Sequence, residues 1–115
     1  MNEASSEDSK PNPYASQDGM TIVEPQPPLP DLIIEQLSAP LQEVIRAHGW
    51  SELMLVQKKA APYILNAMDI IVQSKTGSGK TGAFLLPLLQ VIEVNHRHPQ
   101  LLIMLPTREL ALQVH

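Results

Sequence analysis

Eight consecutive residues, Ser74-Lys75-Thr76-Gly77-Ser78-Gly79-Lys80-Thr81, hold the side chains that phosphate chemistry needs. Glycines let main-chain N–H groups approach phosphate oxygens closely, and a helix start favours negative charge. Lys80 is spaced to reach β- and γ-phosphates, and the Thr81 hydroxyl is placed to hold Mg²⁺. The usual pattern is Gly, four residues, then Gly-Lys-Ser/Thr. Gly79-Lys80-Thr81 is intact, while Ser74 stands at the first glycine position and is small enough for a close turn. A glycine turn ahead of a helical lysine could match by chance, so the flanking elements decide.

Those elements fit. Asp69-Ile70-Ile71-Val72-Gln73 is a short apolar, β-branched run that reads as a buried parallel strand. From Lys80 to about Val94 the spacing of Phe84, Leu85, Leu88, Leu89 and Ile92 gives a helix with a wide apolar stripe, kinked at Pro87. Asn95–Gln100 is a polar loop. Its His96 and His98 lack a third partner and read as ordinary loop histidines rather than metal ligands. Leu101-Leu102-Ile103-Met104-Leu105 is a second apolar strand, with Met104 in the core. Strand, helix and strand make a right-handed βαβ unit, so the fold class is α/β with a parallel sheet. Pro106-Thr107-Arg108-Glu109 then opens another helix, with Glu109 as a first-turn residue.

Upstream, Pro40 begins a helix that carries Leu41, Val44, Ile45 and His48 and stops at Gly49. A second helix spans about Leu55 to Ala67. Val56, Ala60, Ile64 and Leu65 form its buried face, Pro62 introduces a kink, and Lys58 and Lys59 face solvent. Residues 1–31 differ in kind. They hold six acidic residues against Lys10 alone, and six of the eleven prolines. Such a segment cannot bury enough apolar surface to offset its ordering entropy, so it reads as a disordered acidic tail with a stiff Pro25–Pro30 spacer.

The net charge of −4 does not exclude nucleotide or RNA binding, because a site can be locally basic on an acidic protein. With no cysteine there is no disulfide framework and no thiolate zinc site. No apolar run approaches the roughly 20 residues that span a bilayer, and the N-terminus lacks the features of a secretory signal. The expectation is a cytoplasmic protein without membrane contact.

Three motifs in one order then identify a resemblance. Gly49-Trp50-Ser51-Glu52-Leu53-Met54-Leu55-Val56-Gln57 resembles the Q motif of DEAD-box RNA helicases, within helicase superfamily 2. Ser74 to Thr81 resembles the family's phosphate loop, and Pro106-Thr107-Arg108-Glu109-Leu110-Ala111 its motif Ia. The resemblance covers residues 32–115. It implies a RecA-like P-loop domain, represented here by its first two core strands and flanking helices.

The resemblance also implies roles. Gln57 would read adenine, since its amide offers one donor and one acceptor for N7 and N6. Without the family match it would read as an exposed glutamine at a helix start. Ser74, Lys75, Thr76, Gly77, Ser78, Gly79, Lys80 and Thr81 would hold ATP, with Mg²⁺ on Thr81. Pro106, Thr107 and Arg108 would contact the RNA sugar–phosphate backbone without reading sequence. Four positions depart from the family. Leu32 stands where an aromatic residue stacks on adenine, leaving an aliphatic contact. Leu53-Met54 replaces Pro-Thr, Ala67 replaces a common Gly, and Ser74 a common Ala. Adenine specificity through Gln57 with weaker nucleotide affinity is expected.

The family hydrolyses ATP with an Asp-Glu-Ala-Asp motif downstream of motif Ia. After Lys80 this chain has only the carboxylates Glu93 and Glu109, so no catalytic residue is assigned. Two strands do not complete a covered sheet. The expectation is the N-terminal part of an ATP-dependent RNA helicase that, by itself, binds nucleotide at most. Two other readings stand beside it: a truncated nucleotide- or partner-binding module without catalysis, and a superfamily 2 DNA helicase.

Overall fold

A computed structural model describes residues 24–115, so the disordered-tail reading of residues 1–23 lies outside the described residues. Four α-helices follow one another: α1 (Ala39–Ala47), α2 (Leu55–Leu65), α3 (Lys80–Val91) and α4 (Arg108–Val114). A short 3₁₀ turn, Ile34–Gln36, precedes them.

Helices α1 and α2 end in the same device. After α1, the Gly49 N–H donates to the Arg46 carbonyl and the Trp50 N–H to the Ile45 carbonyl. After α2, the Ala67 N–H donates to Ile64 and the Met68 N–H to Tyr63. Both are Schellman motifs, which place one residue in the left-handed region. Gly49, at φ +78°, takes that conformation without steric penalty; Ala67, at φ +56°, takes it with a Cβ. The expected glycine stop after α1 is thus observed, and α2 ends two residues before Ala67. Helices α2 and α3 continue through Pro62 and Pro87, and both prolines are buried.

The main core joins Leu32, Ile34 and Leu37 of the N-terminal strap to Ile45 of α1, Leu53, Ala61 of α2 and Leu86 of α3. A second cluster packs Val56 and Ala60 of α2 on Ala83 of α3, with Ile70 at its edge. The face of α3 that enters the core is therefore Ala83, Leu86 and Pro87. In the stripe expected from spacing, Leu89 is exposed and the others are half-buried. Helix α3 is apolar nearly all round, so periodicity alone does not say which side meets the larger neighbour.

The strap corrects the tail assignment for residues 24–31. The Tyr63 hydroxyl donates to Glu24 Oε1 at 3.1 Å and accepts from the Leu29 N–H at 3.2 Å. Lys59, expected to face solvent, lies 2.8 Å from Asp31 and 3.8 Å from Glu24. Its hydrogen bond to Asp31 raises the Lys59 ammonium above the ordinary lysine value of 10.5. Lys58 pairs with Glu52 at 3.0 Å. Composition missed this because a few specific polar anchors on one buried tyrosine order the segment, not a continuous apolar face.

The expected sheet is not confirmed. Among the described residues neither 69–73 nor 101–105 forms a strand, and no main-chain hydrogen bond joins the two segments. Ile71 is 100% exposed, and Leu102 and Met104 are each 85% exposed, so the expected burial of Met104 is not realised. A β-branched apolar run has strand propensity, but a strand exists only through the ladder it makes with a neighbour. None of the described helices is long and apolar enough to cross a membrane.

Candidate functional site

The site grows from the start of α2. Met54 precedes the helix and Gln57 is its third residue. A glutamine at that position can reach back to the main-chain N–H of the residue before the helix. Here Gln57 Oε1 accepts from the Met54 N–H at 2.9 Å. A methionine offers no oxygen to the first N–H groups of the helix, so only the Gln57 half of the capping arrangement is made. Leu53 meanwhile fills the core at 2% exposure.

The other end of the same amide crosses to the phosphate loop. Gln57 Nε2 donates to the Gly79 carbonyl at 3.2 Å, over a separation of 22 residues. Gln57 is only 1% exposed and is the one buried polar side chain among the described residues. The reading of an exposed helix-start glutamine is therefore not what the structure shows. Its surroundings are tight. A Cβ added at Gly79 would lie 2.6 Å from Met54 Sδ and 2.8 Å from Gln57 Nε2.

Gly79 immediately precedes α3 with φ +91°, a left-handed conformation. The turn before it closes on itself. The Ser78 N–H donates to the Lys75 carbonyl at 3.2 Å, Ser74 Oγ donates to Ser78 Oγ, and Lys80 Nζ donates to the Ser74 carbonyl. The main-chain N–H groups of Thr76, Gly77, Gly79, Lys80 and Thr81 have no protein acceptor among the described residues. Five free donors around a helix start, with an ammonium at the same turn, form a cradle suited to phosphate oxygens. A cavity of about 250 Å³ opens there, between Met54–Val56 and Ser74–Ser78. A larger one, about 620 Å³, lies between α2 and residues 69–74 and is walled mainly by aliphatic side chains. The smaller cavity adjoins the turn through Ser74–Ser78 and is the candidate site.

Thr81 is exposed, and its hydroxyl has no protein partner among the described residues. No group of three or more metal-ligating side chains occurs among them either, so a hard cation here would depend on phosphate oxygens, water and this hydroxyl. His96 and His98 stack at 5.1 Å, and His96 Nε2 lies 2.9 Å from Glu93.

The remaining expected residues lie elsewhere. Leu32 is in the core at 5% exposure, and its N–H donates to the Lys58 carbonyl at 3.0 Å. Pro106, Thr107 and Arg108 form an exposed turn at the start of α4, where Thr107 Oγ1 accepts from the Leu110 N–H at 3.2 Å. No hydrogen bond among the described residues ties that turn to the phosphate loop. Sequence reasoning named Trp50 and Met54 only as motif positions and gave Gly82 no role; all three lie near the Gln57 amide. The available signal was the glutamine three residues after a helix boundary, which marks a cap.

Comparison with known proteins points to one family. Residues 54–115 match the DEAD/DEAH box helicase family. The chain is 43% identical over 83 residues to the DEAD-box ATP-dependent RNA helicase CshC of Bacillus cereus, covering 72% of this chain and 21% of that protein. It is 44% identical over 78 residues to the ATP-dependent RNA helicase DeaD of Escherichia coli K12, covering 68% of this chain and 12% of that protein. Among solved structures it resembles a DEAD box protein from the hyperthermophile Methanococcus jannaschii, with a TM-score of 0.64 and 39% identity, over 69% of this chain and 22% of the other. That likeness implies a RecA-like α/β fold. The chain spans about a fifth or less of the length of these relatives.

Proposed function

The chain belongs to the DEAD/DEAH box helicase family, and on that premise we propose that it carries the nucleotide-binding part of an ATP-dependent RNA helicase. The observation that supports this reading is the set of main-chain N–H groups at Thr76, Gly77, Gly79, Lys80 and Thr81 that have no protein acceptor among the described residues, with the Lys80 ammonium at the same turn. In the proposed complex the free N–H groups of Thr76 to Thr81 hold the phosphates and Lys80 neutralises their charge. Gln57 reads adenine, and the Thr81 hydroxyl would hold Mg²⁺, which would supply neutralising charge to the bound phosphates. Leu32, by its burial, takes part at most through the packing beneath the base.

Pro106, Thr107 and Arg108 are proposed to contact the RNA backbone. A hydroxyl, helix-start N–H groups and a guanidinium suit phosphate and leave base identity unread. Protein partners are not assigned, and a cytoplasmic setting remains part of the proposal. In these 115 residues there is no Asp-Glu-Ala-Asp run. Glu93 pairs with His96 and Glu109 sits in the first turn of α4. The chain by itself is therefore proposed to hold nucleotide without turning it over, and RNA unwinding is proposed for the whole helicase.

A displacement titration tests the reading. Mg-ATP should displace a fluorescent adenine nucleotide far better than Mg-GTP, and Lys80→Ala should weaken both by at least about tenfold, the loss of one charge-assisted contact. Equal competition by ATP and GTP would sink the adenine assignment. Magnesium-dependent turnover by the 115-residue chain, lost on Lys80→Ala, would sink the non-catalytic one.

A further inference from the structure

Gly82 lies inside α3, and its φ is not in the left-handed region, so the backbone does not require glycine there. In a helix interior glycine is worse than alanine by about 0.5–1 kcal/mol. What the position does require is space. A Cβ on Gly82 would lie 2.5 Å from Gln57 Nε2, 3.3 Å from Gln57 Cδ and 3.5 Å from the Trp50 ring. The first contact is closer than a methyl group tolerates, and the second is tight. The Gln57 amide occupies the volume that any side chain at position 82 would take.

In that place each end of the amide has one protein partner. Its oxygen accepts from Met54, its nitrogen donates to Gly79, and the residue is 1% exposed. A primary amide has a second hydrogen and a second lone pair. Both are enclosed here, so a base arriving from solvent cannot reach them. Recognition of adenine then needs Gln57 to leave its inward position and turn toward the cavity.

We propose that Gly82 is a positioning residue for base recognition: lacking a Cβ, it lets the Gln57 amide fold inward against Gly79, and this inward state competes with adenine for Gln57. The proposal rests on the reading that Gln57 recognises adenine. Its consequence is quantitative. Affinity is reduced by the fraction of molecules whose Gln57 is turned outward, so closing the inward place raises adenine affinity by the reciprocal of that fraction. Phosphate contacts common to all nucleotides are unaffected.

The test compares wild type, Gly82→Ala, Gln57→Ala and the double variant in titrations with Mg-ADP and Mg-GDP. Alanine is a better helix residue than glycine, and the atoms it meets are the far end of a flexible side chain. Gly82→Ala is therefore expected to fold, with circular dichroism as the check. It should bind ADP severalfold, up to about tenfold, more tightly, with GDP unchanged, and the gain should vanish in the double variant. By NMR, the Gln57 side-chain amide protons should exchange slowly with solvent in wild type and fast in Gly82→Ala. If Gln57→Ala lowers the ADP preference but Gly82→Ala does not raise it, the positioning role of Gly82 is wrong and the adenine reading survives. If neither variant moves the ADP preference, both fall. Slow exchange of the Gln57 amide protons retained in Gly82→Ala also overturns the proposal.

Discussion

Gly79→Ala should destabilise the chain by more than its backbone conformation explains, and Gly49→Ala supplies the reference. The two glycines have similar dihedrals, φ +91° and φ +78°. An L-residue in that region costs roughly 1–2 kcal/mol, partly offset because alanine has less unfolded-state freedom to lose. At Gly49 nothing lies within 4 Å of the added Cβ, so Gly49→Ala should cost about 1 kcal/mol and no more. At Gly79 the Cβ meets Met54 Sδ at 2.6 Å and Gln57 Nε2 at 2.8 Å. Both are ends of flexible side chains and can move, but moving Gln57 breaks its bond to the Gly79 carbonyl. That loss is about 1 kcal/mol, the displaced amide then turning toward the cavity. Gly79→Ala should therefore cost about 2 kcal/mol. Urea unfolding followed by far-ultraviolet circular dichroism measures both variants, with the midpoint shift read at constant slope. The decisive quantity is the difference. If Gly79→Ala costs no more than Gly49→Ala, the Gln57 amide is not packed against the phosphate loop, and the coupling between adenine reader and cradle is refuted.

Other outcomes follow from the same structure. Ala67→Gly should stabilise the chain by about 0.5–1 kcal/mol, since glycine removes left-handed strain at a Schellman position while adding unfolded-state entropy; no gain in the urea midpoint would contradict the φ of +56°. Tyr63→Phe removes the hydroxyl that bonds both Glu24 and the Leu29 N–H, and should cost about 1 kcal/mol while speeding hydrogen exchange at Leu29; unchanged exchange would mean the strap is held by other contacts. The Lys59 ammonium holds its proton more tightly in the folded chain, because of its hydrogen bond to Asp31. Its contribution is complete below the ordinary value of 10.5 and is lost as pH rises through the elevated folded value. Over that alkaline window wild type should lose stability relative to Lys59→Met; parallel curves would remove the ion pair from the account.

The parts of the site legible in the sequence are those whose chemistry is local. Gly79, Lys80 and Thr81 lie in a turn and a helix start that neighbouring residues create, so their placement follows from type and spacing. The helix boundaries near Gly49 and Leu55 are local for the same reason. The position of Gln57 was not legible, because its burial depends on Gly79 and Gly82, more than 20 residues away. Only a three-dimensional contact distinguishes a surface glutamine from one that caps a helix and reaches a second element. The strap was missed because Tyr63, Lys59, Glu24 and Asp31 look like ordinary surface composition until α2 brings them together.

The two apolar runs show the complementary limit. Residues 69–73 and 101–105 have the pattern of buried strands, yet Ile71, Leu102 and Met104 lie open. Periodicity reports what a segment can pair with, whereas a ladder exists only where main-chain hydrogen bonds join two segments. The phosphate loop has no such dependence. Its turn is closed by Ser74, Ser78 and Lys80, and its end is held by Gln57 of α2, which packs directly on α3. The cradle can therefore keep its shape while the strand leading into it stays unpaired. Nucleotide binding should accordingly be the most local of the functions proposed, and RNA contact at Thr107 and Arg108, on a helix with no buried residue, the one that depends most on further structure.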